Sequence, residues 1–172
     1  MAAFTKIFCS TILSMIMLLA ATCLRAQSTK GKLYDPNRPA DADIQLAVLN
    51  AAAQQKFVLI QAGGNWCGWC IEFARFSKAD PEIDSLIRGN FIWYHLNWSK
   101  ENRNDSLFAR YGFPQRFGFP VFIILNGAGE RIHTQASDYL EDGQKSYDRK
   151  KVVAFLKNWS PAAVDPASYP GQ

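Results

Sequence analysis

Cys67 and Cys70 stand two residues apart in the stretch "GNWCGWCI", and a tryptophan precedes each of them, Trp66 and Trp69. Three chemistries use such a pair. A structural disulfide constrains the unfolded chain more when it closes a long loop, and a two-residue loop constrains little. A zinc site needs about four ligands. Beyond this pair, the mature chain offers only His95 and His133 as further soft ligands. Each falls in a predicted strand, where a satisfied structural histidine is the commoner case. Thiol–disulfide exchange needs a thiolate that attacks and a second thiol that resolves the mixed disulfide. A pair at the start of a helix meets that need. The backbone N–H groups and the helix dipole favour a thiolate at Cys67, and Cys70, one turn on, points inward within reach of the first sulfur.

Elements must hold the pair in that arrangement. "KFVLIQA" (56–62) is a short apolar run of the length of a buried strand. "GGN" breaks it, and 68–78 then places Cys70, Phe73, Ala74 and Ser77 on one helical face. "DPEIDSLIRG" is predicted as a second helix, with Asp80 as cap, Pro81 at its first position and Gly89 as its stop. Upstream, Asp41 is predicted to cap a helix that runs to about Gln55 with Ile44, Ala47, Val48 and Ala51 at helical spacing. Downstream come a strand over 90–98, a polar loop, and a short helix ending at Gly112. A buried strand over 119–125 opens with a proline, and "NGAG" turns it into a returning hairpin strand. A polar loop is expected over 136–147. The last helix presents Val152, Phe155, Leu156 and Trp159 on one face. This order predicts an α/β fold, a central mixed β-sheet flanked by helices.

The first 26 residues have a different character. Lys6, the apolar run "TILSMIMLLAAT" and the exit "CLRAQ" read as a secretory signal peptide with cleavage after Ala26. An uncleaved anchor and lipoprotein processing at Cys23 are the alternatives, although Thr22 is an awkward residue before a lipidated cysteine. Removing Lys6 and Arg25 lowers the formal charge from +4 to +2, so no basic argument for nucleic acid remains. Cys9 and Cys23 leave as well. Cys67 and Cys70 are then the two cysteines of a mature chain in a compartment where disulfides persist. The expected organisation is a signal peptide over 1–26, an extended lead-in over 27–40, one domain over 41–160 and a flexible tail over 161–172.

Strand, "NWCGWC", helix, and then "GFP" ending 50 residues after Cys70 together resemble the thioredoxin superfamily. The likeness is nearer to secreted single-domain thioredoxin-like proteins and to the C-terminal domain of the transmembrane thiol–disulfide interchange protein. It covers roughly Asp41 to Trp159. The resemblance implies a thioredoxin-like fold, a cis peptide bond before Pro120, and pairing of a substrate chain with the backbone of Phe119 beside the cysteines. The chain departs from the family at four places. Gly68 and Trp69 lie between the cysteines instead of Gly-Pro. Gln61 stands where thioredoxin has a buried acid, and Ala74 where the interchange protein's domain has a second one. The approach "FPQRFGFP" is long.

Several further residues have both a structural and a functional reading. Trp66 serves packing and an apolar platform alike, and Trp69 is expected to be exposed and to touch substrate. Trp93, Trp98, Phe91, Phe119 and Phe122 are expected in the core. Gln61 is neutral and only hydrogen-bonds, so the thiolate of Cys67 forms without an opposing charge. Deprotonation of Cys70 then relies on water or on Glu72. The expected activity is an exported thiol–disulfide oxidoreductase acting on protein thiols and disulfides, with no cofactor or metal. It draws electrons from another thiol protein, expected at the membrane, and is expected to be monomeric. A thioredoxin-fold binding module with a locked disulfide, and a thiol peroxidase, are the rival readings.

Overall fold

The computed structural model describes residues 32–171. The expected signal peptide, its cleavage after Ala26, Cys9, Cys23 and residues 27–31 of the lead-in lie outside the described residues. The described chain runs α1 (Ala40–Ala53), β1 (Phe57–Gly63), α2 (Gly68–Ala79), α3 (Pro81–Asn90), β2 (Phe91–Asn97), α4 (Asp105–Arg110), β3 (Val121–Leu125), β4 (Arg131–Ala136), α5 (Arg149–Asn158) and α6 (Pro161–Val164). Single 3₁₀ turns occupy Pro114–Phe117, Ser137–Leu140 and Pro166–Ser168.

The four strands form one sheet in the order β2-β1-β3-β4. β1 pairs with β2 in parallel and with β3 antiparallel, and β4 closes the far edge antiparallel to β3. This is the mixed sheet flanked by helices that the element order predicts. β1 and β3 are the inner strands, covered on both faces, which is why their sequences are nearly unbroken apolar runs. Alternate residues of β1 serve two cores. Val58, Ile60 and Ala62 pack with Ile44, Ala47 and Ala51 of α1. Leu59, on the opposite face, packs with Phe73 of α2, Ile83 of α3 and Phe155 of α5. Full burial of each large apolar side chain contributes roughly 1.5–3 kcal/mol.

The face assigned to α2 is the observed one: Cys70, Phe73, Ala74 and Ser77 are all buried. Asp80 caps α3 as expected, accepting from the N–H groups of Glu82 and Ile83, with Pro81 in the first turn. Arg149 of α5 reaches both Asp80 and Glu82, tying the two helices together.

Several sequence expectations need correction. Asp41 does not cap α1. The helix starts two residues earlier, at Ala40 behind Pro39, which supplies no side-chain cap, and the Asp41 carboxylate instead pairs with Arg110. Gly89 does not stop α3, which continues to Asn90. The polar segment 136–147 is not simply solvated: Leu140 and Tyr147 are buried in the core under α5. Where composition predicts a flexible tail, residues 161–168 form two short turns capped by Ser160 and Asp165. Local polarity misled over 136–147, because Leu140 and Tyr147 are buried in a segment whose average composition is hydrophilic.

Candidate active site

β1 delivers the chain to the cysteine pair, and α2 begins there. Cys67 is the N-cap of α2 and is joined to Cys70 by a disulfide, with the Cα atoms 5.2 Å apart. Sγ of Cys67 accepts from the backbone N–H of Cys70 at 3.1 Å. This N–H of the first helical turn, shared with the Cys67 carbonyl, therefore points toward the outer sulfur, where it favours negative charge once the disulfide opens. Cys70 is fully buried, whereas Cys67 retains 5% of its surface. The order of accessibility matches the expectation, but Cys67 is far less exposed than a free nucleophile would be. Tyr34, Trp69, Leu33 and Phe119 pack around the two sulfurs. Close packing also explains the glycine before the pair: a Cβ on Gly63 would lie 2.4 Å from Sγ of Cys70.

Trp69 is less exposed than expected, and Trp66 is the outward-facing ring. Trp66 is 57% exposed, and its indole N–H donates to the carbonyl of Trp98 at 2.8 Å. Its ring meets Phe119 edge-on at 5.5 Å and Trp98 at 6.1 Å. Trp69 is half-buried, held edge-on against Tyr147 at 5.5 Å, while the Tyr147 hydroxyl donates to the Trp69 carbonyl. Helical periodicity turns Trp69 toward the segment before α5, where the sequence predicts a polar loop. Trp98 and Phe119, expected in the core, are only partly buried and complete an aromatic surface with Trp66 beside Cys67. A recess of about 300 Å³ opens next to it, lined by Trp66, Trp98, Ser99, Lys100 and Glu101. The Phe119–Pro120 peptide bond is cis, as the resemblance implies, and Pro120 is buried.

Gln61 is fully buried beneath the pair. Its amide donates to the carbonyl of Cys70 at 2.8 Å, so it touches the inner cysteine through the backbone. Glu72 is engaged elsewhere. Its carboxylate pairs with Arg75 at 2.7 Å and accepts from the Ser146 hydroxyl at 2.6 Å. These contacts, Arg75 first and Ser146 second, hold its pKa below the usual range and make it a weak base. Among the described residues, no group of three or more His, Cys, Asp or Glu side chains converges.

Sequence reasoning passed over two residues that the fold brings to this site. Tyr34, from the lead-in, is fully buried against Cys67 and Cys70. The side chain of Asn65 fixes it there by donating to the Tyr34 carbonyl and accepting from its N–H. A lone aromatic in a polar segment was the one available signal. His95, opposite Gln61 in the parallel register, was expected to be a satisfied histidine. Its Nε2 is instead buried without a partner, and its ring packs against Tyr34 and Trp93.

Burial, and secondarily Lys78, lowers the pKa of His95 from 6.5 to about 4. The folded chain thus keeps it neutral where the unfolded chain protonates it. Stability carried by neutral His95 is complete above pH 6.5 and is lost as pH falls from 6.5 toward about 4. The slope is at most ~1.4 kcal/mol per pH unit. His95→Phe should flatten that part of the profile in urea denaturation run across the same window. An unchanged slope would show that His95 titrates normally.

A family model described as thioredoxin-like matches residues 40–127, which is about half the chain. The chain belongs to the thioredoxin-like family. This thioredoxin-like chain is 22% identical, over 125 residues, to the thiol:disulfide interchange protein DsbD of Salmonella choleraesuis (strain SC-B67). That match covers 67% of the chain but only 22% of the relative, so the chain spans about a fifth of that protein's length. Among solved structures, a disulphide isomerase from Xylella fastidiosa Temecula1 superposes with a TM-score of 0.65 at 23% identity, covering 74% of this chain and 96% of that one. The oxidised C-terminal domain of DsbD from Neisseria meningitidis superposes with a TM-score of 0.50 at 17% identity, covering 69% and 94%. The likeness to these structures is one of fold. The thioredoxin-like chain carries on that fold a Cys-x-x-Cys pair of the oxidoreductase type, closed as a disulfide.

Proposed function

We propose that the protein is an exported thiol–disulfide oxidoreductase acting on protein disulfides. One observation carries this reading: a closed Cys67–Cys70 disulfide at a helix N-terminus, with its outer cysteine retaining a narrow access to solvent and its inner cysteine sealed. In the reduced protein the Cys67 thiolate attacks a client disulfide. A Cys67–client bond forms, and one client sulfur leaves as a thiolate and takes up a proton. Cys70 loses its proton and attacks Sγ of Cys67. The mixed disulfide breaks, the second client sulfur leaves as a thiol, and Cys67–Cys70 is the oxidised product. The two electrons go to the client, and a second thiol protein restores the dithiol. Run backward, the same steps oxidise the client. The interchange and isomerase names of its relatives agree with such partners. The test is turnover of a disulfide-bonded protein supplied with a dithiol donor.

Trp66, Phe119 and Trp98 offer the client an apolar surface beside Cys67, and the backbone of Phe119 offers it a pairing edge. Trp69 contributes mainly by packing. Exposed aromatic anchors dominate such contacts. Trp66→Ala should therefore raise KM for a protein client about tenfold, a loss of ~1.4 kcal/mol, with a smaller change in kcat. Trp66→Phe should restore most of it. Equal KM values in all three proteins would remove Trp66 from the client surface.

Export rests on the leader-like sequence of residues 1–26. N-terminal sequencing of the exported protein should find Gln27. A lipidated Cys23 or an intact Met1 would overturn that assignment. The near-complete burial of Cys67 favours one rival, a binding module with a locked disulfide, and equilibration with glutathione separates the two.

A further inference from the structure

Among the described residues, three of the buried side-chain polar atoms without a well-formed hydrogen bond stand close together: Tyr34 Oη, Gln61 Oε1 and His95 Nε2. Leaving such atoms unpaired costs about 1–3 kcal/mol each, so their convergence on one place calls for a cause. Tyr34 and Gln61 lie against the inner cysteine, and His95 lies behind them. Sγ of Cys70 and Oη of Tyr34 lie 2.4 and 3.1 Å from the point that a Cβ on Gly63 would occupy. Gln61 is bonded to the Cys70 carbonyl and neighbours the Tyr34 hydroxyl. His95 stands beside Gln61 in the sheet, with its ring 5.6 Å from that of Tyr34. Among the described residues no carboxylate is shown bonded to any of the three. Gln61 is neutral, His95 is neutral at neutral pH, and Glu72 is held by Arg75 and Ser146.

We propose that the Tyr34 hydroxyl is the hydrogen-bond donor that receives the Cys70 thiolate during resolution. In the disulfide the inner sulfur is a poor acceptor, and the hydroxyl has only the Gln61 side chain beside it and no well-formed acceptor. Once a mixed disulfide forms on Cys67, Cys70 carries a thiol that must lose its proton before attack. The proton passes to solvent, and the Tyr34 O–H turns to the resulting sulfur anion. Tyr34 keeps its own proton throughout, since burial raises its pKa far above the usual phenol value. The anion then attacks Sγ of Cys67, the Cys67–client bond breaks, and the client sulfur departs and is protonated. A neutral donor thus supports the thiolate where an acid would repel it. Asn65, which clamps the Tyr34 backbone on both sides, and Asn102, which donates to the Pro36 carbonyl, make the lead-in a working part of the site.

The catalytic consequence rests on the oxidoreductase reading, but the contact between Tyr34 and Cys70 can be measured without turnover. The experiment titrates the Cys70 thiol in the reduced full chain by its ¹³Cβ shift, in the wild type and in Tyr34→Phe. Hydrogen bonds to charged groups are the stronger ones, so the variant should raise the Cys70 pKa by about one unit or more. The pH profile for resolving a trapped mixed disulfide should move up with it, slowing release about tenfold at neutral pH. Trapping by Cys67 should be unaffected. The thermal midpoint of the oxidised variant should be unchanged or slightly higher, because an unpaired hydroxyl has been removed. Superimposable Cys70 titrations would overturn the proposal. So would a shift accompanied by a large fall in the oxidised midpoint, which marks a merely structural role. If the titrations differ as expected but the wild type turns over no client, the contact stands and the oxidoreductase reading fails.

Discussion

Cys67→Ser should abolish disulfide exchange, and Cys70→Ser should convert the protein into a trap that accumulates mixed disulfides. The asymmetry follows from the geometry at the start of α2. Cys67 is the helix cap, its sulfur accepts an N–H of the first turn, and it retains the only access to solvent in the pair. A thiolate placed there is stabilised before any client arrives, so its removal leaves no competent nucleophile. Cys70 is sealed behind Tyr34 and the sheet and can meet a client only through Cys67. Its loss leaves attack intact and removes the step that releases product. Non-reducing electrophoresis after incubation with a disulfide-bonded client reads both outcomes. Adducts that form on Cys67→Ser and fail to form on Cys70→Ser would reverse the two roles.

Phe73→Ala should be the most destabilising single change near the site, at ~3–5 kcal/mol. Phe73 follows Cys70 by three residues on the buried face of α2 and has no exposed surface. Its ring lies 4.3 Å from Phe122 of β3, 5.0 Å from Tyr147 and 6.0 Å from Trp93 of β2. It therefore joins the cysteine helix to two strands and to the segment before α5. Truncation removes apolar burial and leaves a cavity that these aromatic neighbours cannot easily fill. Total stabilities are about 5–15 kcal/mol, so the loss is large enough to threaten folding. Phe73→Leu, nearer in volume, should cost distinctly less. Urea denaturation of the oxidised proteins gives both values. A loss below about 1 kcal/mol for Phe73→Ala would mean that α2 is held chiefly by other contacts.

The chemistry-bearing pair and its scaffold were legible in the sequence for a simple reason. An inner strand covered on both faces is written as an unbroken apolar run, and β1 and β3 have that form. The buried face of α2 is written at helical spacing from Cys70 to Ser77, and Asp80-Pro81 marks the next helix start by its capping chemistry. The surroundings of the sulfurs were less legible because they are assembled from distant segments. Tyr34 reaches Cys70 from more than 30 residues away in sequence, in a stretch with no periodicity. Nothing local shows that β2 will set His95 against Gln61. Tyr147 is hidden in a polar run, yet it turns Trp69 inward and so leaves Trp66 as the exposed ring. Composition and period report a residue's own element. They are silent on which loop covers it.

The central claim is that Cys67–Cys70 is a working redox couple. Equilibrating the protein with glutathione buffers, with quantification of its oxidised and reduced forms, tests that claim most directly. A working couple should pass between the two forms at a reduction potential well above about −300 mV, and removing Cys70 should eliminate the transition. A pair that stays oxidised throughout, with a potential below that value, would be a structural disulfide and would contradict the account.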